Sequence, residues 1–243
     1  MNENTPELSI ILPAYNEGSK IKKNIESVKQ KLDSLDVEYE IIVVNDGSRD
    51  NTYLEAQKCE ARNIKILTYP QNRGKGYAIN YGMMYSRGQY RLFMDADLST
   101  SLDEIKKFLD TIKHDGYDIV IGTRKSTEAL QTVKQPFYRR ALGKVFTYLA
   151  GCFVGYGLSD FTCGFKMFTK KASEIIFKRQ RIFNWAFDAE VIFIAMRHNL
   201  RICELPVTWR NDPQTKVRLL RDISTSFYGL FKIRINHLKG HYR

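Results

Sequence analysis

Apolar and polar positions alternate in blocks along the first half of the chain, and the blocks predict strands and helices in turn. Five short runs rich in apolar residues are typical of strands: LSIILPAY, YEIIVVND, IKILTYP, YRLFMDAD and YDIVIGTR. Segments with helical periodicity separate them and begin near Glu17, Asn51, Gly74 and Leu102. Because the strands are apolar on both faces, we predict an α/β fold with a mostly parallel sheet and helices on both sides.

A functional site is expected at one edge of this sheet, because ligands of such folds bind beyond the carboxyl ends of the strands. Polar residues follow the predicted strands at that edge: Asn16, Glu17, Asp46, Asp95, Asp97 and Arg124. The second half of the chain is less regular. Helices are predicted there around residues 137–156 and 187–197, and RICELPVTW resembles a strand.

The C-terminal segment, residues 218–243, has apolar residues at helical spacing among basic ones: Leu219, Leu220, Ile223, Phe227, Leu230, Phe231 and Ile235. A basic amphipathic helix suits the interface of a membrane, and the same pattern is typical of a helix that covers a core. The pattern alone does not separate the two. We predict one α/β domain over residues 1–217, followed by this segment.

Composition narrows the classes of partner. The 243 residues carry a formal net charge of +11, which favours an anionic partner such as a nucleotide, a nucleic acid or an anionic lipid surface. The four cysteines have neither the spacing of a zinc site nor that of a disulfide scaffold. The N-terminus lacks a signal-peptide pattern, and the longest uncharged stretch, Val145–Ser159, would extend about 22 Å as a helix, too short for a span.

Asp95 and Asp97 follow a predicted strand with one residue between them. At positions i and i+2 of an extended strand, both carboxylates point to the same side and can face one cation. Mg²⁺ or Mn²⁺ takes one or two protein carboxylates and fills its other positions with water and phosphate oxygens. The alternative for an isolated D-x-D sequence is a turn or a helix cap.

Two further clusters favour a nucleotide. Asp46 ends a strand where an acid can accept hydrogen bonds from a base or a ribose, although NDGS is also a common turn sequence. In NRGKGYA, Arg73 and Lys75 alternate with glycines ahead of a helix, which favours phosphate. The segment matches neither the P-loop nor the dinucleotide-binding pattern, so NTPases and dehydrogenases of those types lose their main support.

Taken in order, the segments ILPAYNEG, VVNDGSRDNT, NRGKGYAINYGM, FMDADLS and IGTR resemble the family 2 glycosyltransferases, which have a GT-A fold. The later segments DFTCGFKMFTKKA, FNWAFDAEVIFIA and ELPVTWRNDPQTKVRLLRD resemble more narrowly the dolichyl-phosphate glucosyltransferases and their bacterial and archaeal relatives. The resemblance covers about residues 8–235. Each motif is weak alone, and their shared order is specific.

The resemblance implies a donor site for a nucleotide-sugar. The matching nucleotide-binding positions are Pro13, Tyr15, Glu17, Asp46 as the uracil-contacting acid, Arg73, Lys75 and Asp95. Asp97 matches the residue that ligates Mg²⁺ or Mn²⁺, with Asp95 beside it. Ser99 departs from the family pattern, because a glutamine that serves as a second metal ligand is frequent at that position.

The resemblance also implies an acceptor site for a polyprenyl phosphate. The positions that match lipid-phosphate contacts are Arg124, Arg139, Thr215 and Lys216. Gly143 departs from the pattern, since a residue with a hydroxyl group is common there. The expected membrane contact is peripheral, at the cytoplasmic face.

The acids of FNWAFDAEV raise the question of a catalytic base. Asp188 and Glu190 are two residues apart on a predicted helix, so at most one of them faces the site. A hydroxyl acceptor needs a carboxylate base, whereas a phosphate acceptor is already an anion and needs positioning. We therefore expect Asp188 to orient the sugar or the acceptor. The alternative is a helix N-terminal acid stabilised by the macrodipole.

These implications combine into one functional hypothesis with two alternatives. The hypothesis is an inverting, metal-dependent transfer of a hexose, expected to be glucose, from a UDP-sugar to a polyprenyl or dolichyl phosphate, with Asp97, Asp188 and Arg124 in the catalytic set. The first alternative is a family 2 enzyme that glycosylates a hydroxyl of a soluble glycan or protein, with Asp188 or Glu190 as base. The second is a basic nucleic-acid-binding module, against which the lack of a stacking-sheet or helix-turn-helix pattern argues.

Overall fold

The computed structural model of the protein describes residues 5–125, 131–133, 137–155, 157–210 and 219–243, with the backbone alone at 131–133, 137–144, 146 and 219–226. The strands are β1 (Leu8–Ala14), β2 (Tyr39–Asp46), β3 (Ile64–Tyr69), β4 (Tyr90–Met94), β5 (Ile119–Thr123), β6 (Gln131–Val133), β7 (Phe165–Thr169), β8 (Ile202–Pro206) and β9 (Trp209–Arg210). The helices are α1 (Ile21–Asp33), α2 (Thr52–Gln57), α3 (Lys75–Tyr85), α4 (Glu104–His114), α5 (Phe137–Val154), α6 (Lys170–Arg179), α7 (Phe187–Arg197) and α8 (Leu219–Leu238).

The main sheet has the strand order β3-β2-β1-β4-β7-β5-β8. β1 pairs in parallel with β2 and β4, β2 with β3, and β5 with β8, while β7 runs antiparallel between β4 and β5. β6 and β9 form a separate parallel pair. The prediction of an α/β fold with a mostly parallel sheet is therefore confirmed.

Successive residues of the central strands enter two cores on opposite faces of the sheet. In β1, Ile10 and Leu12 join the core covered by α1 and α4, while Ile11 joins the core covered by α3, α6 and α7. Because side chains alternate across a strand, an unbroken apolar run is the pattern that a sheet covered on both faces requires. Burial of this apolar surface, at about 25 cal/mol per Å², is the main force that holds the layers together.

Helix α8 packs one face on the protein and exposes another. Leu230 and Ile233 are fully buried, and the Phe231 ring contacts the Phe153 ring of α5 at a centroid distance of 4.9 Å. The helix therefore covers the core with one face, while apolar side chains on the other face remain exposed. Within the described ranges, no helix has both the length and the apolar character needed to cross a bilayer. A domain boundary near residue 217 stays a prediction.

Candidate functional site

Hydrogen bonds join the turn after β1 to the loop after β2 and to the start of α2. The Asn16 N–H donates to Ser48 Oγ (2.9 Å), and the Glu17 N–H donates to Thr52 Oγ1 (2.7 Å). Asn16 has a φ of 52°, a left-handed conformation that asparagine adopts more readily than most residues. Because β1 and β2 are parallel, this edge of the sheet carries the predicted nucleotide-binding positions of the first strand: Pro13, Tyr15 and Glu17.

Asp46, the last residue of β2, is a buried carboxylate that organises the glycine-rich loop before α3. Its Oδ1 accepts hydrogen bonds from the Tyr69 hydroxyl (2.8 Å) and the Arg73 N–H (2.7 Å). Its Oδ2 accepts from the Asn72 side chain (2.9 Å) and the Gly74 N–H (3.1 Å). Burial raises the pKa of Asp46, and the bonds from Arg73 and Tyr69 oppose that rise. Asp46 thus holds this loop in place, and its contact with uracil stays a prediction.

Lys75, the first residue of α3, forms an ion pair with Asp95. Burial disfavours its charged form, but the charges of Asp95 and Asp188 overcome this effect and raise the pKa of Lys75. The Arg73 guanidinium instead lies over the Tyr77 ring, 3.7 Å from its centroid. Of the two basic residues predicted to hold the nucleotide, Lys75 is therefore the one that directly contacts the acid pair.

Asp95 and Asp97 lie in a turn after β4. The strand ends at Met94, the Leu98 N–H donates to the Asp95 carbonyl (3.1 Å), and Leu98 has a φ of 54°. The expectation that strand geometry aligns the two carboxylates is therefore wrong, because the chain turns directly after Met94. Burial and then the charge of Asp95 raise the pKa of Asp97, while the hydrogen bond from the Ser99 N–H (2.9 Å) opposes the rise.

Gly164 makes room for the Asp95 carboxylate. The Asp95 N–H donates to the Gly164 carbonyl (3.1 Å), and a Cβ on Gly164 would lie 2.1 Å from Asp95 Oδ2. Any side chain at this position would displace the carboxylate. This packing depends on the pairing of β4 with β7, which the segment DFTCGFKMFTKKA alone does not predict.

The acid pair fits a divalent cation of the kind that the sequence predicts. Mg²⁺ and Mn²⁺ bind one or two protein carboxylates and complete their shell with water and phosphate oxygens. Burial raises the pKa of Asp97, and the charge of Asp95 adds to that rise. In the described part of the chain, no cluster of three or more acidic, histidine or cysteine side chains forms an all-protein metal site. A metal here would be held by Asp97, with Asp95 beside it, and by the substrate.

Asp188 is paired with a buried lysine that the sequence analysis did not single out. Lys166 on β7 is fully buried, and its ammonium donates to the Asp188 carboxylate and to the Cys163 carbonyl (2.7 Å). Burial raises the pKa of Asp188, and the charges of Lys166 and Lys75 oppose that rise. The signal in the sequence is one lysine within the apolar strand FKMFT, because a lysine is almost never fully buried unless it is paired.

Arg124, which follows β5, is held by another buried acid. Its Nε donates to Asp160 Oδ2 (2.7 Å), and its Nη2 donates to Asp160 Oδ1 (3.0 Å) and to Thr162 Oγ1 (3.0 Å). Burial favours the neutral form of Asp160, but the Arg124 charge overcomes this and holds the pKa of that carboxyl well below its usual range. The guanidinium is also 5.3 Å from the centroid of the Trp209 ring. Its contact with a lipid phosphate stays a prediction.

Glu190 belongs to a different environment from Asp188. It is fully buried and accepts hydrogen bonds from the N–H groups of Arg181 (3.0 Å) and Ile182 (2.8 Å) and from the Tyr242 hydroxyl. Burial raises the pKa of Glu190 to about 7. The two acids thus lie in different environments, as their spacing on a helix predicts, and the role of Asp188 in the site stays a prediction.

The other predicted acceptor positions are not tested by these contacts. Arg139 and Gly143 lie on α5 where the backbone alone is described, and Thr215 and Lys216 lie outside the described residues. Arg124 is thus the member of the predicted acceptor set whose side-chain contacts are known.

The fold and the site define a class of protein. The mostly parallel sheet carries an acid pair, a paired lysine and a glycine-rich loop at its carboxyl edge, where ligands of such sheets bind, and this agrees with the GT-A fold that the motif order implies. The model of the family "Glycosyl transferase family 2" matches residues 9–177. The chain belongs to this family, and the protein is a glycosyltransferase, as its motifs predict.

The relatives and structural neighbours agree with this class. A dolichyl-phosphate beta-glucosyltransferase of Trichomonas vaginalis is 34% identical over 226 residues, which cover 87% of this chain and 68% of the relative. The human dolichyl-phosphate beta-glucosyltransferase is 30% identical over 254 residues, covering 98% and 78%. Glucosyl-3-phosphoglycerate synthase from Mycobacterium tuberculosis, in complex with Mn²⁺, UDP and glucosyl-3-phosphoglycerate, matches with a TM-score of 0.70 at 17% identity, covering 94% of this chain and 80% of that one. This last likeness shows the fold.

Proposed function

We propose that this protein transfers glucose from UDP-glucose to a polyprenyl phosphate of the dolichyl phosphate type, with inversion at the anomeric carbon. The observation that carries the proposal is the similarity, at 30–34% identity over 87–98% of the chain, to dolichyl-phosphate beta-glucosyltransferases. The family match leaves the nucleic-acid-binding alternative without support. In this proposal the net charge of +11 attracts the phosphates of the donor and the acceptor and an anionic lipid surface.

We assign each part of the donor to a different residue at the sheet edge. Lys75 is assigned to the diphosphate, because its ammonium already lies against the acid pair. Asp95 is assigned to the nucleoside, and Asp97 to the divalent cation. When bound, Mg²⁺ or Mn²⁺ supplies positive charge that stabilises the diphosphate as a leaving group.

The acceptor side favours a phosphate over a hydroxyl. A phosphate oxygen is already an anion and attacks the anomeric carbon without a base. Arg124 offers a fixed guanidinium, the group best suited to phosphate, and we assign Arg139, Thr215 and Lys216 to the same acceptor. Glu190 is fully buried against the backbone at 181–182 and Tyr242, so it does not serve as a base for a hydroxyl acceptor.

We also assign a peripheral contact with the cytoplasmic face of a membrane to the exposed apolar residues of α5 and α8: Val145, Tyr148, Tyr228, Phe231, Ile235 and Leu238. Exposed basic residues of the C-terminal segment accompany them: Lys232, Arg234 and Lys239. Each basic residue near an anionic surface contributes about 1 kcal/mol, so a few suffice for reversible attachment.

Liposome flotation tests this attachment. The protein should float with anionic liposomes at low salt and be released at high salt. A Tyr228→Glu, Leu238→Glu double variant should remain at the bottom of the gradient. Leu54→Glu, which changes an exposed leucine on α2, is the matched control and should still float. Equal flotation of the double variant would exclude the face on α8.

The transfer reaction is tested with labelled UDP-glucose, Mg²⁺ or Mn²⁺ and a short polyprenyl phosphate. We expect a glucose-linked lipid from the wild-type protein and none from Asp97→Asn. If no nucleotide-sugar of a broad panel yields a lipid-linked product, the proposal is wrong. Transfer to a glycan or protein hydroxyl under the same conditions would support the alternative acceptor class.

A further inference from the structure

Lys166 is a buried cation that is assigned neither to the donor nor to the acceptor. It lies on β7 directly beside Phe93 of β4, and its side chain is fully buried. Its ammonium donates to the Cys163 carbonyl and to the Asp188 carboxylate, and it lies 5.3 Å from the centroid of the Phe93 ring. An ammonium in such a place requires a carboxylate partner, because the cost of removing it from water is otherwise several kcal/mol.

Asp188 joins this lysine to the donor site. Asp188 lies in the first turn of α7, and the chain just before and at this turn packs on the start of α3: the Gly76 N–H donates to the Phe183 carbonyl (3.2 Å), and a Cβ on Gly76 would lie 2.8 Å from the Phe187 side chain. The charged groups that act on Asp188 are Lys166 on β7, Lys75 on α3 and Asp95 after β4. Lys75 in turn forms an ion pair with Asp95 and is influenced by the charge of Asp188. The four side chains therefore alternate in sign, from the buried Lys166 through Asp188 and Lys75 to Asp95.

We propose that Lys166 is a positioning residue of the transfer site: it binds Asp188 as a fixed anion, withdraws it from proton transfer and leaves Lys75 available to the donor diphosphate. This inference rests on the proposed function and deepens it. Because the Asp188 carboxylate is committed to a lysine, the site suits an acceptor that arrives ionised, which is the chemistry of a phosphate monoester.

The Asp188 carboxylate and the donor diphosphate compete for Lys75. With Lys166 in place, one ammonium already satisfies the Asp188 carboxylate, so its attraction on Lys75 is partly offset. Without Lys166, the buried carboxylate has Lys75 as its nearest cation and draws that ammonium away from the diphosphate. In a site of low dielectric such a redistribution is large, because charges interact more strongly there than in water.

A double-mutant cycle tests this linkage. The proteins are the wild type, Lys166→Met, Asp188→Asn and the variant with both substitutions, and the measurement is the Kd of UDP with Mn²⁺ by calorimetry. We expect Lys166→Met to weaken UDP binding about tenfold, and the double variant to match Asp188→Asn within about twofold, because Lys166 acts through Asp188. Lys170→Met, which changes an exposed lysine next to the same strand, is the control and should bind UDP normally.

The double variant keeps the test decisive if Lys166→Met does not fold, because it buries no unpaired charge. A further tenfold loss in the double variant relative to Asp188→Asn would overturn the inference, since Lys166 would then act independently of Asp188. Turnover supplies a second readout. Asp188→Asn should lose less than about tenfold in kcat with a polyprenyl phosphate, whereas a loss on the order of 10³-fold would identify Asp188 as a general base and also overturn the inference.

The outcomes separate this inference from the proposed function. A wild-type protein that binds UDP but forms no lipid-linked glucose would refute the proposed function, and the binding cycle would still report whether Lys166 acts through Asp188. A wild-type protein that forms the product, together with independent effects of the two substitutions, would refute the inference alone.

Discussion

Asp188 and Glu190 are buried acids two residues apart on α7, yet they belong to two regions with different tasks. Asp188, which we assign to the transfer site, is paired with Lys166 and is also influenced by the charge of Lys75. Glu190 faces a C-terminal anchor, defined here as Glu190, Asn236 and Tyr242, where its partners are backbone N–H groups and a hydroxyl. Burial alone therefore does not mark a functional acid. The partner decides whether the group is held as an anion for chemistry or serves to fasten the fold.

This comparison predicts that substitutions in the two regions affect different quantities. Changes at the acid pair should reduce activity with little change in stability, and changes in the anchor should do the reverse. The largest effect is expected for Asp97→Asn, because loss of the carboxylate removes the predicted metal ligand. We expect a fall in kcat on the order of 10³-fold or more and a thermal midpoint within about 3 °C of the wild type.

The measurement for Asp97→Asn is product formation at saturating Mn²⁺, combined with calorimetric unfolding. Asp103→Asn, an exposed acid near the start of α4, is the matched control and should keep full activity. Activity of Asp97→Asn that persists in the presence of a chelator would contradict both the metal assignment and the position of Asp97 in the transfer site.

The second largest effect is expected for Gly164→Ala. A Cβ there would lie 2.1 Å from Asp95 Oδ2, so Gly164→Ala must move the carboxylate that pairs with Lys75. We expect a loss of about 10²-fold in kcat/KM for UDP-glucose, since misplacement of a site residue by about 1 Å has effects of this size. Gly157→Ala, where nothing lies within 4 Å of the added Cβ, should behave as the wild type.

The sequence was sufficient for the features that depend on local pattern. Alternating strands and helices predicted the parallel sheet, and motif order predicted the positions of the acid pair and of Lys75. The sequence did not predict contacts between residues that are far apart along the chain. Lys166 reaches Asp188 because β7 inserts antiparallel between β4 and β5, and Asp160 reaches Arg124 across 36 residues. Neither pairing leaves a periodic signal.

The turn at the acid pair shows a different limit. The apolar run YRLFM forms strand β4, as predicted. The strand stops at Met94, however, and Leu98 adopts a left-handed conformation. Leucine has no intrinsic preference for that conformation, so the surrounding structure imposes it. The premise that Asp95 and Asp97 continue the strand was wrong, while the expectation that both carboxylates face one cation stays a prediction.

The third largest effect is expected from Glu190 in the anchor, and it is a pH dependence of the unfolding free energy. Burial raises the pKa of Glu190 from 4.5 to about 7, so between these values the folded protein keeps a proton that the unfolded chain has released. Stability is therefore highest below pH 4.5 for this group and falls as the pH rises through 7. Its contribution to the unfolding free energy should decrease by about 2 to 3 kcal/mol between pH 5 and pH 8.

Urea unfolding at pH 5, 6, 7 and 8 measures this dependence. Glu190→Gln, which cannot ionise, should flatten the decline over this window. Glu17→Gln, an acid in the turn after β1, is the control and should retain it. A decline of equal size in Glu190→Gln would assign the titration to another group.

The smallest effect is expected for Tyr242→Phe, which removes the hydroxyl that donates to Glu190 and leaves the ring in place. At pH 8 the carboxylate is ionised, and loss of a hydrogen bond to a charged group should cost about 2 kcal/mol. At pH 6 Glu190 is mostly protonated, and loss of a bond to a neutral group should cost about 1 kcal/mol. Because the Tyr242 bond lowers the pKa of Glu190, its removal should also move the decline in stability to higher pH.

Transfer activity well below the melting temperature should be unchanged, since the hydroxyl fastens α7 from the side opposite Asp188. A loss of kcat without loss of stability would show that the anchor and the transfer site are one functional unit.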